Sequence, residues 1–294
     1  MTDIVCPVCG NTAPGTEFVC TDFFVSGEKF PLLHCPGCGF RMTGSAPDAE
    51  NIGRYYQSEE YVSHSNTRQG LVNQLYHAVR QYMLGRKYRM ISRHSGLSTG
   101  AILDIGAGTG YFLKMMNGKG WDTTGVEVSE QAREFAETQL GLSLLPEEKG
   151  WLFPDASFDV ITLWHVLEHL PGPGTYWEAF NRQIKPGGTL FIALPNPASY
   201  DAGYYRDYWA AWDVPRHLWH FTPENIIRMA ENHGFHLHGI CRLPFDAFYV
   251  SMLSEKYRKS TFPVMRGMAV GMASWLISLL SKKKCSSLVY IFKI

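Results

Sequence analysis

The feature that most constrains the fold is an alternation of strand-like and helix-like segments that begins at residue 101. Four short apolar runs have the length of buried strands, at 101–105, 123–128, 158–163 and 189–194. Segments with the three- and four-residue spacing of helices follow them, at 111–120, 129–140, 166–170 with 176–184, and 223–233. Such alternation predicts an α/β fold, with a doubly wound and mostly parallel sheet covered by helices on both faces.

Four cysteines crowd into the N-terminal region as two C-x2-C pairs. They are Cys6, Cys9, Cys35 and Cys38. Four thiolates at such spacing suit tetrahedral coordination of zinc, and a closed shell of protein ligands indicates a structural ion. Cys20 lacks a paired cysteine and is not included. Four buried cysteines without metal are the alternative, but they would leave a small module with too little core.

These patterns divide the chain into three regions. Residues 1–45 are predicted to form a zinc-ribbon module, and residues 46–95 a linker and helical cap. The cap contains helical spacing over 71–93, with Asn66 or Thr67 as the N-cap. Residues 96–294 form the sheet domain, in which strands at 235–242 and 287–293 enclose a helical insertion at about 247–284.

The charge balance excludes some functions. With 27 basic and 27 acidic residues the net charge is zero, which argues against general nucleic-acid binding. No signal peptide is visible and no run reaches about 20 apolar residues, so we expect a cytoplasmic location without a transmembrane segment. Residues 61–103 and 247–294 are nevertheless strongly basic. We interpret them as solvated faces, with attraction of an anionic ligand or membrane as the alternative.

A glycine-rich turn joins the first strand of the sheet domain to its helix. It contains Asp104, Gly106, Gly108 and Gly110. Glycines allow the backbone to approach a ligand closely, and the helix N-terminus offers free N–H groups. Glu127 ends the next strand, where its carboxylate can accept the hydroxyls of a ribose. The G-x-G-x-G spacing differs from the dinucleotide fingerprint, which disfavours a nicotinamide cofactor.

Five motifs in order resemble those of class I S-adenosylmethionine-dependent methyltransferases. They are the glycine loop, Glu127, Phe158-Asp-Val160, Val166-Leu-Glu-His169 and Lys185-Pro-Gly-Gly188. The nearest branch is the small-molecule group that includes the ubiquinone-biosynthesis O-methyltransferases. The resemblance covers about residues 96–245 and implies a seven-stranded sheet with an antiparallel last strand. It also implies S-adenosylmethionine as cofactor, with Asp104 and the three glycines around its methionine moiety, Glu127 on its ribose, and Trp164 packed against it.

Two histidines are candidate bases. His165 directly follows the third strand of the sheet domain, where residues of the family face the sulfonium, and an imidazole can accept the proton of a hydroxyl acceptor. His217, in Pro215-Arg-His-Leu218, is the second candidate. Glu168 and His169 are expected to form local hydrogen bonds. A divalent ion held by His165 and Glu168 is an alternative, and the H-x-x-E-H spacing of a metalloprotease is disfavoured by the buried strand before it.

Two segments are candidates for binding the acceptor or a partner. The aromatic-rich residues 196–221 are predicted to build an acceptor pocket, oriented by Arg206, Arg216, His217 or His220, or to fold as a lid on themselves. The insertion at 247–284 carries an apolar helical face. That face comprises Met265, Met268, Met272, Trp275, Leu276 and Leu279. We favour a pocket cover, with a homodimer contact or peripheral contact with an anionic membrane as alternatives.

The function that these features predict is methyl transfer from S-adenosylmethionine to a small-molecule acceptor. A hydroxyl of a sugar, lipid-linked or similar metabolite is the expected acceptor. One alternative is a tRNA or protein methyltransferase whose zinc ribbon recognises the macromolecule. The other is a non-catalytic scaffold that binds the cofactor.

Overall fold

A computed structural model describes residues 5–48, 50–56 and 71–294, except for the side chains of 71–78. The proposed N-caps Asn66 and Thr67 lie outside the described residues. Ten strands are described: β1 Gly15–Thr21, β2 Lys29–His34, β3 Arg41–Thr43, β4 Ala101–Ile105, β5 Asp122–Val126, β6 Phe158–Trp164, β7 Ile184–Pro195, β8 Trp219–His220, β9 His236–Leu243 and β10 Ser287–Lys293. The α-helices of the same residues are α1 Leu71–Ser95, α2 Tyr111–Asn117, α3 Glu130–Phe135, α4 Pro173–Gln183, α5 Tyr200–Tyr205, α6 Pro223–Asn232, α7 Asp246–Tyr257 and α8 Pro263–Leu280.

The central sheet has the order β5-β4-β6-β7-β10-β9. Strands β4 to β7 are parallel, and β10 runs antiparallel between β7 and β9. The α/β class and the antiparallel insertion are therefore confirmed. In the described part of the chain the sheet has six strands rather than seven. Beyond β5 an isolated parallel bridge joins Val126 to Leu145, and Pro146 follows, whose nitrogen cannot donate a ladder hydrogen bond.

The prediction of a helix at 166–170 is wrong. The structure has turns there, in which the amide of His169 donates to the carbonyl of Val166. A continuous helix is prevented at both ends. His165 has a φ of 59° and Gly172 a φ of 66°, and Pro171 cannot donate a backbone hydrogen bond. The resulting turns hold His165 and Glu168 at the carboxyl edge of β6.

The N-terminal strands share a sheet with a segment far along the chain. The second sheet has the order β1-β2-β3-β8, and β8 comes from the aromatic-rich segment 196–221. The buried guanidinium of Arg216 donates to Asp22 at 3.0 Å, to Asp213 at 2.6 Å and to the carbonyl of Tyr55. A buried charge with this many partners fixes the module on the sheet domain, because its separation would leave charges unpaired.

The aromatic-rich segment packs largely on itself and on the N-terminal module. Tyr205, Trp209 and Trp212 are buried in one apolar cluster with Phe30 and Leu32 of β2. The indole of Trp209 donates to Asp201 at 2.8 Å. These contacts favour the folded lid over an aromatic-walled acceptor pocket. Of the four candidates for orienting an acceptor, two are disfavoured, because Arg216 is engaged by two aspartates and the buried His220 contacts Thr43.

Helices α7 and α8 form a tight hairpin. A Cβ at Gly267 would lie 2.4 Å from the Cα of Met252, and one at Gly271 would lie 2.8 Å from the Cα of Phe248. Only glycine permits so close an approach of the two backbones. By length and composition alone, α8 is the one helix among the described residues that could cross a membrane, and 22% of it is buried. The expected absence of a transmembrane segment stays a prediction.

Candidate functional site

The glycine loop lies at the carboxyl ends of β4 and β5. Gly106, Gly108 and Gly110 have φ values of 71°, 54° and 81°, which side chains rarely adopt. A Cβ at Gly106 would lie 2.3 Å from the side chain of Val166. At Gly108 a Cβ would meet no described residue within 4 Å. The loop therefore packs tightly on its inner side, and the described residues leave open space at Gly108, where a ligand can approach the backbone.

Glu127 is held beside this open space. Its two carboxylate oxygens accept hydrogen bonds from the backbone amides of Gly108, at 2.7 Å, and Ser129, at 2.9 Å. Glu127 is 8% exposed. A carboxylate oxygen has lone pairs to spare after one such bond, so Glu127 retains acceptor capacity for two hydroxyl groups. This is the arrangement that the sequence predicts for a ribose contact.

Two ionisable groups near the loop, Asp104 and Lys87, interact electrostatically. Burial raises the pKa of Asp104 to about 7, although the hydroxyl of Thr162 donates to it at 2.6 Å. Burial lowers the pKa of Lys87 to about 8, against the attraction of Asp104 and Asp246. The ammonium of Lys87 lies 4.0 Å from the ring centroid of Trp164, a favourable cation–π distance. The packing of Trp164 against the cofactor stays a prediction.

His165 lies between two carboxylates. Its Nε2 is 3.3 Å from Asp246 Oδ2, and its Nδ1 is 3.5 Å from Glu168 Oε1. Burial disfavours the charged ring, but Asp246 and Glu168 together raise the pKa of His165 to about 9. The imidazole is therefore protonated at neutral pH. The ring must lose this proton before it can take one from the hydroxyl of the methyl acceptor. This requirement constrains the predicted role of His165 as a base.

His217 also lies near Glu168, but it is more buried than His165. Its Nδ1 donates to the carbonyl of Ala211 at 2.9 Å, and its ring packs 4.6 Å from that of His169. Glu168, His169 and His217 offer ligand atoms within 4.8 Å of one another. Burial lowers the pKa of His169 to about 4. The Nδ1 of His169 donates to the carbonyl of Arg216, 47 residues away, rather than to a residue of its own turn as expected. Among the residues that the structure describes, none forms a hydrogen bond with either carboxylate oxygen of Glu168, so the local bond expected for this side chain is not seen there.

Sequence reasoning missed Lys87 and Asp246. Lys87 belongs to α1, where the excess of basic residues was the only signal. Asp246 begins α7, and its contact with His165 joins positions 81 residues apart. Neither belongs to a motif. A polar residue that reaches a site from outside the motifs can be found only once the helices are placed.

The four predicted metal ligands converge in the N-terminal module. Cys6 and Cys38 have sulfur atoms 3.6 Å apart, and those of Cys9 and Cys35 are 3.5 Å apart. All four sulfurs lie within 4.8 Å of one another. A tetrahedron with zinc–sulfur bonds of about 2.3 Å has edges of about 3.8 Å, so the spacing fits this ion. Buried Cys20 lies outside this cluster, in agreement with the prediction.

Comparisons with known proteins place the chain in a family. A family model described as a methyltransferase domain matches residues 76–239, more than half of the chain. A ubiquinone biosynthesis O-methyltransferase of Azoarcus sp. (strain BH72) is 32% identical over 113 residues, covering 36% of this chain and 48% of that protein. The ubiquinone biosynthesis O-methyltransferase of Idiomarina loihiensis is 28% identical over 180 residues, covering 56% of this chain and 74% of that protein.

The first of these matches spans only about half of its relative's length. Among solved structures, the geranyl diphosphate C-methyltransferase of Streptomyces coelicolor A3(2) is similar with a TM-score of 0.52. That match has 12% identity and covers 79% of this chain and 87% of the other, so it indicates the fold alone. With the family match and the ordered glycine loop, the conclusion is that the chain belongs to the class I S-adenosylmethionine-dependent methyltransferase family.

Proposed function

We propose that this protein transfers a methyl group from S-adenosylmethionine to a small-molecule acceptor. The observation that carries the proposal is the pairing of Gly108 with Glu127. Open space beside a positive-φ glycine and a fixed carboxylate with spare acceptor capacity suit the ribose of the cofactor. In this proposal Lys87 contributes a positive charge for the carboxylate of the methionine moiety, and the carboxyl group of Asp104 contributes an acceptor for its amino group.

An oxygen acceptor is the finer part of the proposal. The relatives from Azoarcus and Idiomarina are named as ubiquinone biosynthesis O-methyltransferases, and a hydroxyl of a sugar, lipid-linked or similar metabolite fits that chemistry. The cofactor supplies an electrophilic methyl group. The contribution of the protein is to align the acceptor with that group and to accept a proton from it. We assign the proton to His165 once that ring is neutral, with the deeper His217 as second candidate.

The N-terminal module is proposed to hold one structural zinc ion on its four cysteines. Its β3 pairs with β8 and its Asp22 binds the buried Arg216. A module so tied to the sheet domain serves as part of the scaffold. This favours a small-molecule enzyme over the alternative in which the zinc ribbon recognises tRNA or protein. The cytoplasmic location stays a prediction.

Calorimetry with S-adenosylhomocysteine tests the cofactor assignment. We expect the wild type to bind, and Glu127→Ala to weaken binding by about 1–3 kcal/mol, the usual effect of losing hydrogen bonds to a charged group. Glu130→Ala is the matched control, because Glu130 is a nearby acid in the first turn of α3. Tight binding of NADH with no response to S-adenosylhomocysteine would refute the assignment.

Transfer of label from radioactive S-adenosylmethionine to a cell extract tests the acceptor class. We expect label in the low-molecular-weight fraction, with less transfer by His165→Asn. Label confined to RNA or to protein would favour the macromolecular alternative. If the cofactor binds but no fraction is labelled, the non-catalytic scaffold is favoured.

A further inference from the structure

Helix α8 presents its large apolar side chains to solvent and its small ones to the protein. Gly267, Gly271, Ser274 and Ser278 are buried against the neighbouring elements. The exposed face consists of Met265, Met268, Met272, Leu276, Leu279 and Leu280, which are between 44% and 91% exposed. A helix on the surface of a globular protein normally has the reverse arrangement. A continuous apolar face of this kind marks an interaction surface.

The hairpin is anchored in this orientation. The hydroxyl of Ser274 donates to the buried Asp201 at 2.8 Å, and Arg242 donates to the carbonyl of Ser278 at 2.8 Å. The glycine contacts with α7 add to these bonds. A rotation of α8 that buried its methionines would break both bonds and the close helix crossing. The exposed face is therefore a fixed property of the fold.

Basic residues stand at both ends of this apolar face. Lys256, Arg258, Lys259 and Arg266 surround the turn between α7 and α8. Lys282, Lys283 and Lys284 follow the other end of α8. The one acidic residue between positions 247 and 294 is Glu255, which is 2% exposed. Lys283 pairs with Glu224 of α6, and the region remains strongly positive.

This charge distribution distinguishes the candidate occupants. A two-fold dimer through α8 places the helix against its copy, either parallel or antiparallel. Both arrangements bring a basic end against a basic end, which is repulsive. An anionic lipid surface instead attracts both ends while the methionines and leucines enter the boundary between headgroups and acyl chains. At about 1.5 Å per residue the 18 residues of α8 extend about 27 Å along that surface.

We infer that the exposed face of α8, with its basic ends, docks the protein on an anionic membrane surface, with the helix lying in the plane of the interface. The hairpin also places the catalytic edge near that surface, because Asp246 at the start of α7 contacts His165. An acceptor that resides in the membrane would then reach the site without leaving the lipid phase. The inference concerns the surface alone and does not depend on the proposed reaction.

Flotation of the full-length protein with lipid vesicles tests the inference. We expect flotation with phosphatidylcholine vesicles that contain phosphatidylglycerol, loss of flotation at high salt, and no flotation with phosphatidylcholine alone. Met268→Asp with Met272→Asp should abolish it. Lys282→Ala with Lys284→Ala should lower the affinity for these vesicles about 25-fold, since each basic residue near an anionic surface contributes about fivefold to the affinity.

Val19→Asp is the matched control, because Val19 is an exposed apolar residue of β1, outside α8, with 48% exposure. It should float like the wild type. Every variant must retain the melting temperature and the S-adenosylhomocysteine affinity of the wild type, which separates this test from that of the cofactor. A wild type that stays at the bottom of the gradient would overturn the inference. So would a dimer in sedimentation that Met268→Asp with Met272→Asp dissociates.

Discussion

The contact between Asp246 and His165 predicts a measurable change in the titration of one histidine. Asp246 Oδ2 lies 3.3 Å from His165 Nε2, and the side chains are 26% and 36% exposed. With the dielectric constant of bulk water, Coulomb's law gives about 1.3 kcal/mol at this distance, which equals about 0.9 pKa unit. Because both groups are partly buried, this value is a lower limit. Asp246→Asn should lower the pKa of His165 by about one unit or more from its value of about 9.

Titration of the imidazole nitrogens by NMR measures this pKa without an acceptor. A His165→Asn variant assigns the signal, and Asp155→Asn, which removes an exposed acid near Arg182, is the control. The pKa of His165 is raised by folding. It therefore contributes stability that is fully present below about pH 6.5 and is lost as the pH rises through about 9. The melting temperature of Asp246→Asn should accordingly fall less across this range. A wild-type His165 that titrates near 6.5, or an unchanged titration in Asp246→Asn, would refute the reasoning.

Three further predictions concern the fold. Arg216→Met leaves Asp22 buried without its partner, so we expect a loss of about 3–5 kcal/mol in denaturant unfolding, and an unchanged curve would contradict the buried ion pair. Gly106→Ala forces a Cβ against Val166 at a positive φ, and calorimetry should detect no S-adenosylhomocysteine binding, whereas Gly53→Ala, which meets open space, should bind normally. Elemental analysis should find one zinc per chain, and Cys38→Ser should expose the N-terminal module to protease; equal resistance with and without zinc would exclude a structural role.

The parallel sheet and the cofactor loop could be predicted from the sequence because their signals are local. Each strand of the loop motif is a short apolar run, and Gly106 to Gly110 follow the first of them directly. The signal of the four cysteines that are predicted to bind zinc is equally local, since each pair occupies one turn. In such cases neighbouring residues determine the conformation, so that a pattern along the chain is sufficient.

The rest of the site depends on contacts between distant residues. In the sequence Arg216 is a candidate for orienting an acceptor. The structure pairs it with Asp22, which lies 194 residues away and could not be identified from the local pattern. The same applies to β8, which has two residues and no strand pattern of its own, and which exists because β3 is beside it. The sequence predicts that the apolar face of α8 covers the acceptor pocket. The spacing of apolar residues indicates that such a face exists, but it does not indicate which way the face points. The burial of Gly267 and Gly271 against α7 determines that direction.

The pairing of β3 with β8 has a consequence for synthesis on the ribosome. Thr43 and His220, which contact each other across this pairing, are 177 residues apart. At about 5–20 residues per second, β3 leaves the ribosome roughly 9–35 s before its neighbouring strand. During that interval β3 has an unpaired edge in the nascent module. Asp22, which is buried in the folded protein, does not yet have Arg216 beside it. If the four thiolates bind the proposed zinc ion, early loading would hold the two turns together until the remaining chain emerges, and we then expect the folding yield to depend on the metal supply.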